Sequence, residues 1–223
     1  MIIKQNLKHI KSQLPKDVTL VAVSKTKPIS DIMEAYDAGQ LVFGENKIQE
    51  MVEKHEQMPK DIEWHMIGHV QRNKVKYMAS FVSLIHGVDN FKLLKEINKQ
   101  ALKHDRVINC LLQIKIASEN TKFGMTEATA LEILKSEEFK NLKNIKITGV
   151  MGMASFTDNL EQVASEFKTL KAAFNNLKTI QAFNCDLQTI SMGMSGDYEL
   201  AIENGSNMVR IGSSIFGARN YSI

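Results

Sequence analysis

Short β-branched runs alternate with longer amphipathic segments along the whole chain, and this alternation constrains the fold more than any other feature. The runs are Thr19 to Val23, Leu41 to Phe43, Trp64 to Ile67, Leu84 to His86, Leu111 to Ile116, Ile145 to Val150, Leu187 to Ile190 and Met208 to Ile211. Helical patterns lie between them. The clearest is Leu160, Val163, Phe167, Leu170, Phe174 and Leu177, whose alternating spacing of three and four lines one helix face. Asp158 with Glu161 predicts a capping box at its start. Ser30 predicts a cap for the helix carrying Ile32, Met33 and Tyr36, with Asp31 in its first turn, and Asn46 with Gln49 predicts a cap for the segment through Val52. Strand-then-helix repetition implies parallel strands joined by right-handed crossovers. Six such units would give an open doubly wound sheet. The eight runs of this chain predict a closed (β/α)8 barrel, an α/β fold, preceded by an extra N-terminal helix over residues 2–14.

At 223 residues the chain is long for two domains and suits one large barrel domain over residues 1–223, with no Gly/Ser linker dividing it. The net charge of +3 is too small to argue for nucleic acid or a membrane surface as partner. Cys110 sits in an apolar run and Cys185 beside Asp186; neither has metal-ligand spacing, and two cysteines do not make a secreted disulfide scaffold. The N-terminus lacks a signal-peptide core, and no stretch approaches the roughly 18 apolar residues of a membrane span, so a cytoplasmic protein is expected. No interface stripe decides between monomer, the preferred state, and dimer.

In a barrel, binding residues come from the loops after the C-terminal strand ends. Ser24-Lys25-Thr26-Lys27-Pro28 follows the first strand, Gly44-Glu45-Asn46 the second and Gly68 to Asn73 the third. Ser191-Met192-Gly193-Met194-Ser195-Gly196 follows the seventh and Gly212-Ser213-Ser214 the eighth. Small residues and hydroxyls after the last two strands predict a phosphate site built on loop and helix-terminal N–H groups. Lys25 ends an apolar strand, where its stem either snorkels to solvent or projects into the barrel opening. Burial and the neighbouring cation Lys27 would favour a neutral amine able to attack an aldehyde. Arg210 lies among apolar residues in the last strand and must find acceptors, an internal carboxylate being the plain alternative. Asn46 and Ser195 read equally well as helix N-caps.

Several stretches together resemble the pyridoxal phosphate homeostasis protein family. They are Val21-Ala22-Val23-Ser24-Lys25-Thr26-Lys27-Pro28, Phe43-Gly44-Glu45-Asn46 and Trp64-His65-Met66-Ile67-Gly68, then Gln71-Arg72-Asn73-Lys74, Ser191-Met192-Gly193-Met194-Ser195 and Val209 to Gly217. They run in order over nearly the whole chain. The resemblance implies a barrel like the N-terminal domain of alanine racemases, holding pyridoxal 5'-phosphate (PLP) as a Schiff base on Lys25. It implies Ser191, Gly212 and Ser213 around the phosphate with Ser195 as a neighbour, Arg210 facing the pyridine nitrogen and Asn46 beside the cofactor. Lys122 matches a family lysine without an assigned role. The chain departs from the family pattern at His69-Val70, at Gly152-Met153-Ala154 and at Asn207.

Binding PLP does not by itself establish a reaction. A permanently cationic, donor-only arginine at the ring nitrogen favours its unprotonated form and weakens the electron sink. Alanine racemases offset this with a tyrosine from a second domain, for which no room is expected after Tyr221, while Tyr36, Tyr77 and Tyr198 fall on predicted helices. The expectation is a PLP carrier in PLP homeostasis, with PLP-dependent apo-enzymes as partners and no catalytic residues. A weak PLP-dependent amino-acid racemase is the alternative. A metal module is the poorest reading: His65 and His69 are four apart, but Gly68 and a strand end separate them and Met66 stands where a zincin needs glutamate. Lys92, Lys95, Lys99 and Lys103 share what reads as the solvated face of a helix.

Overall fold

A computed structural model of the chain describes residues 2–119 and 123–218. Its strands close into a parallel barrel in the order β1 to β8. They are β1 (Thr19–Val23), β2 (Val42–Glu45), β3 (Glu63–Met66), β4 (Leu84–Val88), β5 (Ile108–Gln113), β6 (Ile145–Met151), β7 (Cys185–Met194) and β8 (Met208–Ile211), with β8 pairing back onto β1 through Val21 and Arg210. The helices are α1 (Ile2–Gln13), α2 (Ile29–Asp37), α3 (Ile48–Gln57), α4 (Phe91–Leu102), α5 (Glu127–Lys135), α6 (Glu137–Lys140), α7 (Leu160–Leu177), α8 (Tyr198–Glu203) and α9 (Ser213–Phe216). A 3-10 turn over Arg72–Tyr77 replaces a full helix between β3 and β4. No described helix is long and apolar enough to cross a membrane.

The periodicity that predicts α7 becomes its packing face. Val163, Phe167, Leu170, Phe174 and Leu177 are buried, each large apolar side chain worth about 1.5–3 kcal/mol of transfer free energy, while Leu160 at the helix start stays exposed. The main core lies between strands and helices. A smaller apolar group, Val21, Leu84, Leu111, Met151 and Met208, fills part of the barrel interior.

Several expectations need correction. The fifth strand runs three residues earlier than the apolar run Leu111 to Ile116, because Ile108 and Asn109 pair with β6, while Ile114, whose N–H still reaches the Met151 carbonyl, bridges to Met125 beyond the strand end. β7 extends past Ile190 because Met194 pairs with Arg210, so Ser191 belongs to a strand and not to a loop. The cap of α7 is Asn159, accepting from the Gln162 N–H, one residue after Asp158. Ser30 lies inside α2 and caps nothing, since Pro28 holds the extended N-cap position. Lys47, not Asn46, is the N-cap of α3. Lys122 and Tyr221 lie outside the described residues.

Candidate functional site

A cavity of about 650 Å³ opens at the C-terminal ends of the strands. Of the residues singled out from sequence, Lys25, Asn46, Ser195, Arg210, Gly212 and Ser213 all line it. Ser191 does not: it is fully buried beneath Arg210. Asn46 reaches the wall because its backbone presses on Gly68, where an added Cβ would lie 2.3 Å from the Asn46 carbonyl oxygen. Gly193 turns the chain at φ +97, a left-handed conformation that favours glycine, and its Cα faces Ala201 too closely for a side chain. The loops after β7 and β8 are then joined by the Gly212 N–H donating to Ser195 Oγ at 3.2 Å.

A buried ionic cluster fixes the loop that carries Lys25. Glu45 Oε1 accepts from Ser24 Oγ at 2.6 Å and from Lys54 Nζ at 2.7 Å. Lys54 Nζ also donates to the Ser24 carbonyl at 2.8 Å and to Glu50 Oε1 at 2.7 Å. Glu50 Oε1 accepts the Thr26 N–H at 2.5 Å, holding Thr26 at φ 64, a conformation that costs a non-glycine residue about 1–2 kcal/mol. Lys25 is thereby pinned on both sides. Desolvation raises the Glu45 carboxyl above its usual pKa, against the pull of Lys54. Lys27 does not serve as a free neighbouring cation: its Nζ donates to the carbonyls of Phe216, Gly217 and Ala218 and ties down the end of α9.

Arg210 is only 4% exposed. Its Nη1 donates to Ser191 Oγ at 2.7 Å and its Nη2 to the Gly152 carbonyl at 3.1 Å. Ser191 Oγ lies 3.0 Å from His86 Nδ1, and His86 Nε2 lies 3.1 Å from His65 Nδ1. Arginine can only donate, so the Ser191 hydroxyl accepts from it and sends its own proton to His86 Nδ1. His86 then carries hydrogen on Nε2 and donates to His65 Nδ1. His65 in turn carries hydrogen on Nε2, on the side of a second cavity at the opposite end of the barrel, which it lines. Reversing the chain would strand the buried Ser191 hydroxyl proton, at about 1–3 kcal/mol. Burial holds His65 down to a pKa of about 3. Burial, with His65 and Arg210 beside it, holds His86 well below the ordinary histidine value. Both imidazoles are neutral. Burial lowers Arg210 only to about 10, with Asp197 opposing, so it stays cationic.

The buried guanidinium meets two neutral acceptors and keeps N–H donors for the cavity it lines, so an acceptor group in the cavity would complete its hydrogen bonding. An amine-bearing lysine, this cation and a wall of glycine and serine suit a phosphorylated aromatic aldehyde. The outer rim is apolar: Phe156 is 94% exposed, Phe123 52% and Met194 39%. His69 stacks on Phe123 with ring centroids 4.2 Å apart, and its Nδ1 lies 3.2 Å from Asp89 Oδ2. His65 and His69 therefore serve opposite ends of the barrel. Among the described residues no group of three His, Cys, Asp or Glu side chains is placed to hold a metal.

Sequence reasoning passed over His86, Lys54 and Glu45. The strand period could have found His86, which alternates with Leu84 toward the interior; nothing local marks Lys54 as buried. The described tyrosines lie elsewhere. Tyr36 donates to Asp61, Tyr198 to Gln13 and Glu199, and Tyr77 is exposed.

Residues 2–220 match the family model described as alanine racemase, N-terminal domain. The pyridoxal phosphate homeostasis protein of Vibrio alginolyticus is 40% identical, over 99% of both chains. That of Escherichia coli K12 is 38% identical, over 93% of this chain and 88% of the relative. PipY of Synechococcus elongatus PCC7942, solved with PLP bound, superposes with a TM-score of 0.87 at 32% identity, covering 96% of this chain and 100% of that one. An alanine racemase from Clostridium difficile 630, at 14% identity and a TM-score of 0.77, shares the fold over 57% of its length. With relatives this similar along almost its entire length, the chain belongs to the pyridoxal phosphate homeostasis protein family, a branch of the alanine racemase N-terminal barrels.

Proposed function

We propose that this protein is a PLP-binding carrier acting in PLP homeostasis, built as one barrel domain. The observation that carries the reading is the meeting, in one cavity, of Lys25, the buried cation Arg210 and the small-residue wall of Ser195, Gly212 and Ser213. Lys25 holds the cofactor as a Schiff base: its amine condenses with the aldehyde carbon and water leaves. Ser213, Gly212 and Ser195 surround the phosphate, and Asn46 flanks the ring. Arg210 meets the pyridine nitrogen, with Ser191 acting behind Arg210 and not at the phosphate.

Bound PLP supplies an electrophilic carbon and an electron-withdrawing ring. The residues around it limit what that ring does. Arg210 donates hydrogen bonds and yields no proton near neutral pH, so it favours an unprotonated ring nitrogen and a weak electron sink. None of the described tyrosines lines the cavity. With the ring's electron sink weakened in this way, the protein stores the cofactor and passes it to PLP-dependent apo-enzymes, limiting free aldehyde.

One observation favours a second reading as a weak amino-acid racemase. His69 lines the cavity and is oriented by Asp89, the arrangement of a general acid or base. Exchange of the α-proton of alanine in deuterated water, lost in both Lys25→Ala and His69→Ala, would establish it.

Borohydride trapping of PLP-incubated protein, followed by peptide mapping, tests the main reading. A pyridoxyl group on Lys25, absent in Lys25→Ala together with the visible imine band, is the expected result. Equal labelling of the variant through other lysines would refute the site.

A further inference from the structure

Barrel interiors are ordinarily filled by layers of branched apolar side chains. In this one, Val21, Leu84, Leu111, Met151 and Met208 share the interior with a polar file of Arg210, Ser191, His86 and His65 that runs from the upper cavity to the lower one. Two neutral, buried imidazoles contribute less to stability than apolar residues of the same volume, which points to another purpose for their hydrogen bonds. We propose that His86, acting through Ser191, is a positioning residue that orients Arg210 toward the ring nitrogen of bound PLP. This rests on the reading of Arg210 given above.

A serine hydroxyl rotates to suit its partners. Ser191 turns a lone pair toward Arg210 Nη1 only while its proton is engaged elsewhere, and among the described residues the acceptor is His86 Nδ1. Gly152 O and Ser191 Oγ together fix two corners of the guanidinium fork and hence its plane. Asp197 bears on Arg210 electrostatically, without contact in the hydrogen-bonded file, so it does not set that plane. His65 accepts from His86 Nε2 and so keeps Nδ1 of His86 as the acceptor. Loss of the acceptor at His86 frees the hydroxyl to rotate and the fork to swing out of line with the ring nitrogen.

The test compares PLP with its 1-deaza analogue, in which carbon replaces the ring nitrogen. Affinities are read from the imine band in the wild type, His86→Leu and His86→Asn. The wild type is expected to prefer PLP by about tenfold, the worth of one hydrogen bond to a charged donor. His86→Leu should bring the two ligands to near-equal affinity. His86→Asn, whose Oδ1 takes the place of Nδ1, should restore the preference. If His86→Leu fails to fold, Ser191→Ala takes its place and carries the same expectation. Nitrogen-15 NMR of the unliganded protein at neutral pH should show both His65 and His86 protonated at Nε2. A folded His86→Leu that keeps the wild-type preference, or a His86 protonated at Nδ1, overturns the proposal. A wild type that binds through Lys25 without preferring PLP refutes it too. Failure of PLP to attach at Lys25 refutes instead the functional reading, and the NMR measurement still reads the direction of the file.

Discussion

Replacing Lys54 by methionine keeps the length of the stem and removes the charge that holds the Lys25 loop together. Lys54 Nζ meets Glu45, Glu50 and the Ser24 carbonyl within 2.8 Å, and Glu45 itself has no exposed surface. Glu45 Oε2 already lacks a partner, so in the variant its carboxylate retains only the Ser24 hydroxyl. Removing one member of a buried ion pair costs about 3–5 kcal/mol, most of it from the stranded charge. For a domain of this size, each kcal/mol moves the midpoint by about 2–4 °C, which gives a fall of about 6–20 °C. Urea and thermal melts of Lys54→Met measure it. Adding Glu45→Gln should recover at least half the loss, since no charge is then stranded.

The pH dependence follows from the raised carboxyl. Folding lifts the pKa of Glu45 from 4.5, so the native state binds more protons than the unfolded one and stability falls as pH rises through that window. Without Lys54 the lift is larger, so the gap between variant and wild type should be smallest at acid pH and widen as pH rises. The Lys25 imine band should weaken in parallel. A loss below about 1 kcal/mol, or a double variant with simply additive losses, would refute the reasoning.

Gly193→Ala should destabilise by about 2–4 kcal/mol, because φ is +97 and the new Cβ would stand 2.7 Å from the Ala201 Cβ; a denaturant midpoint within error of wild type would count against it. His65 is neutral in the fold and ordinary when unfolded, so the unfolded state takes up the extra proton and stability is lost as pH falls from 6.5 toward about 3. His65→Leu should therefore flatten the acid limb of a stability-against-pH curve, and an unchanged limb would show that other groups govern it. Cys185, pushed up to about 11 by burial and Asp186, and fully buried Cys110 should both resist a thiol reagent at pH 7.5 until the protein unfolds; stoichiometric labelling of the native state would contradict this.

Strand positions were legible in the sequence because a parallel strand buried on both faces reads as a local apolar run. Thr19–Val23 and Met208–Ile211 keep the bounds their composition predicts. The ends of β5 and β7 were not legible, since they depend on which neighbour each residue pairs with across the barrel. Helix caps failed for a related reason. Asn46 and Ser195 have cap chemistry, but contacts made by distant glycines, Gly68 and Gly212, draw them to the cavity.

The sequence by itself determined the strand-helix alternation, the clustering of Lys25 and the small-residue motifs at strand ends, and the family. Each of these is carried by residue identity and local spacing. Only the tertiary structure decided that Lys54 is a buried clamp and not a surface lysine, that Lys27 secures α9, and that Ser191 stands behind Arg210. It also decided that His65 and His86 join Arg210, through Ser191, in one hydrogen-bonded file across the barrel. Hydrogen-bond direction and burial are set by partners far away in the chain, His86 and Ser191 being 105 residues apart, and local pattern carries no record of them.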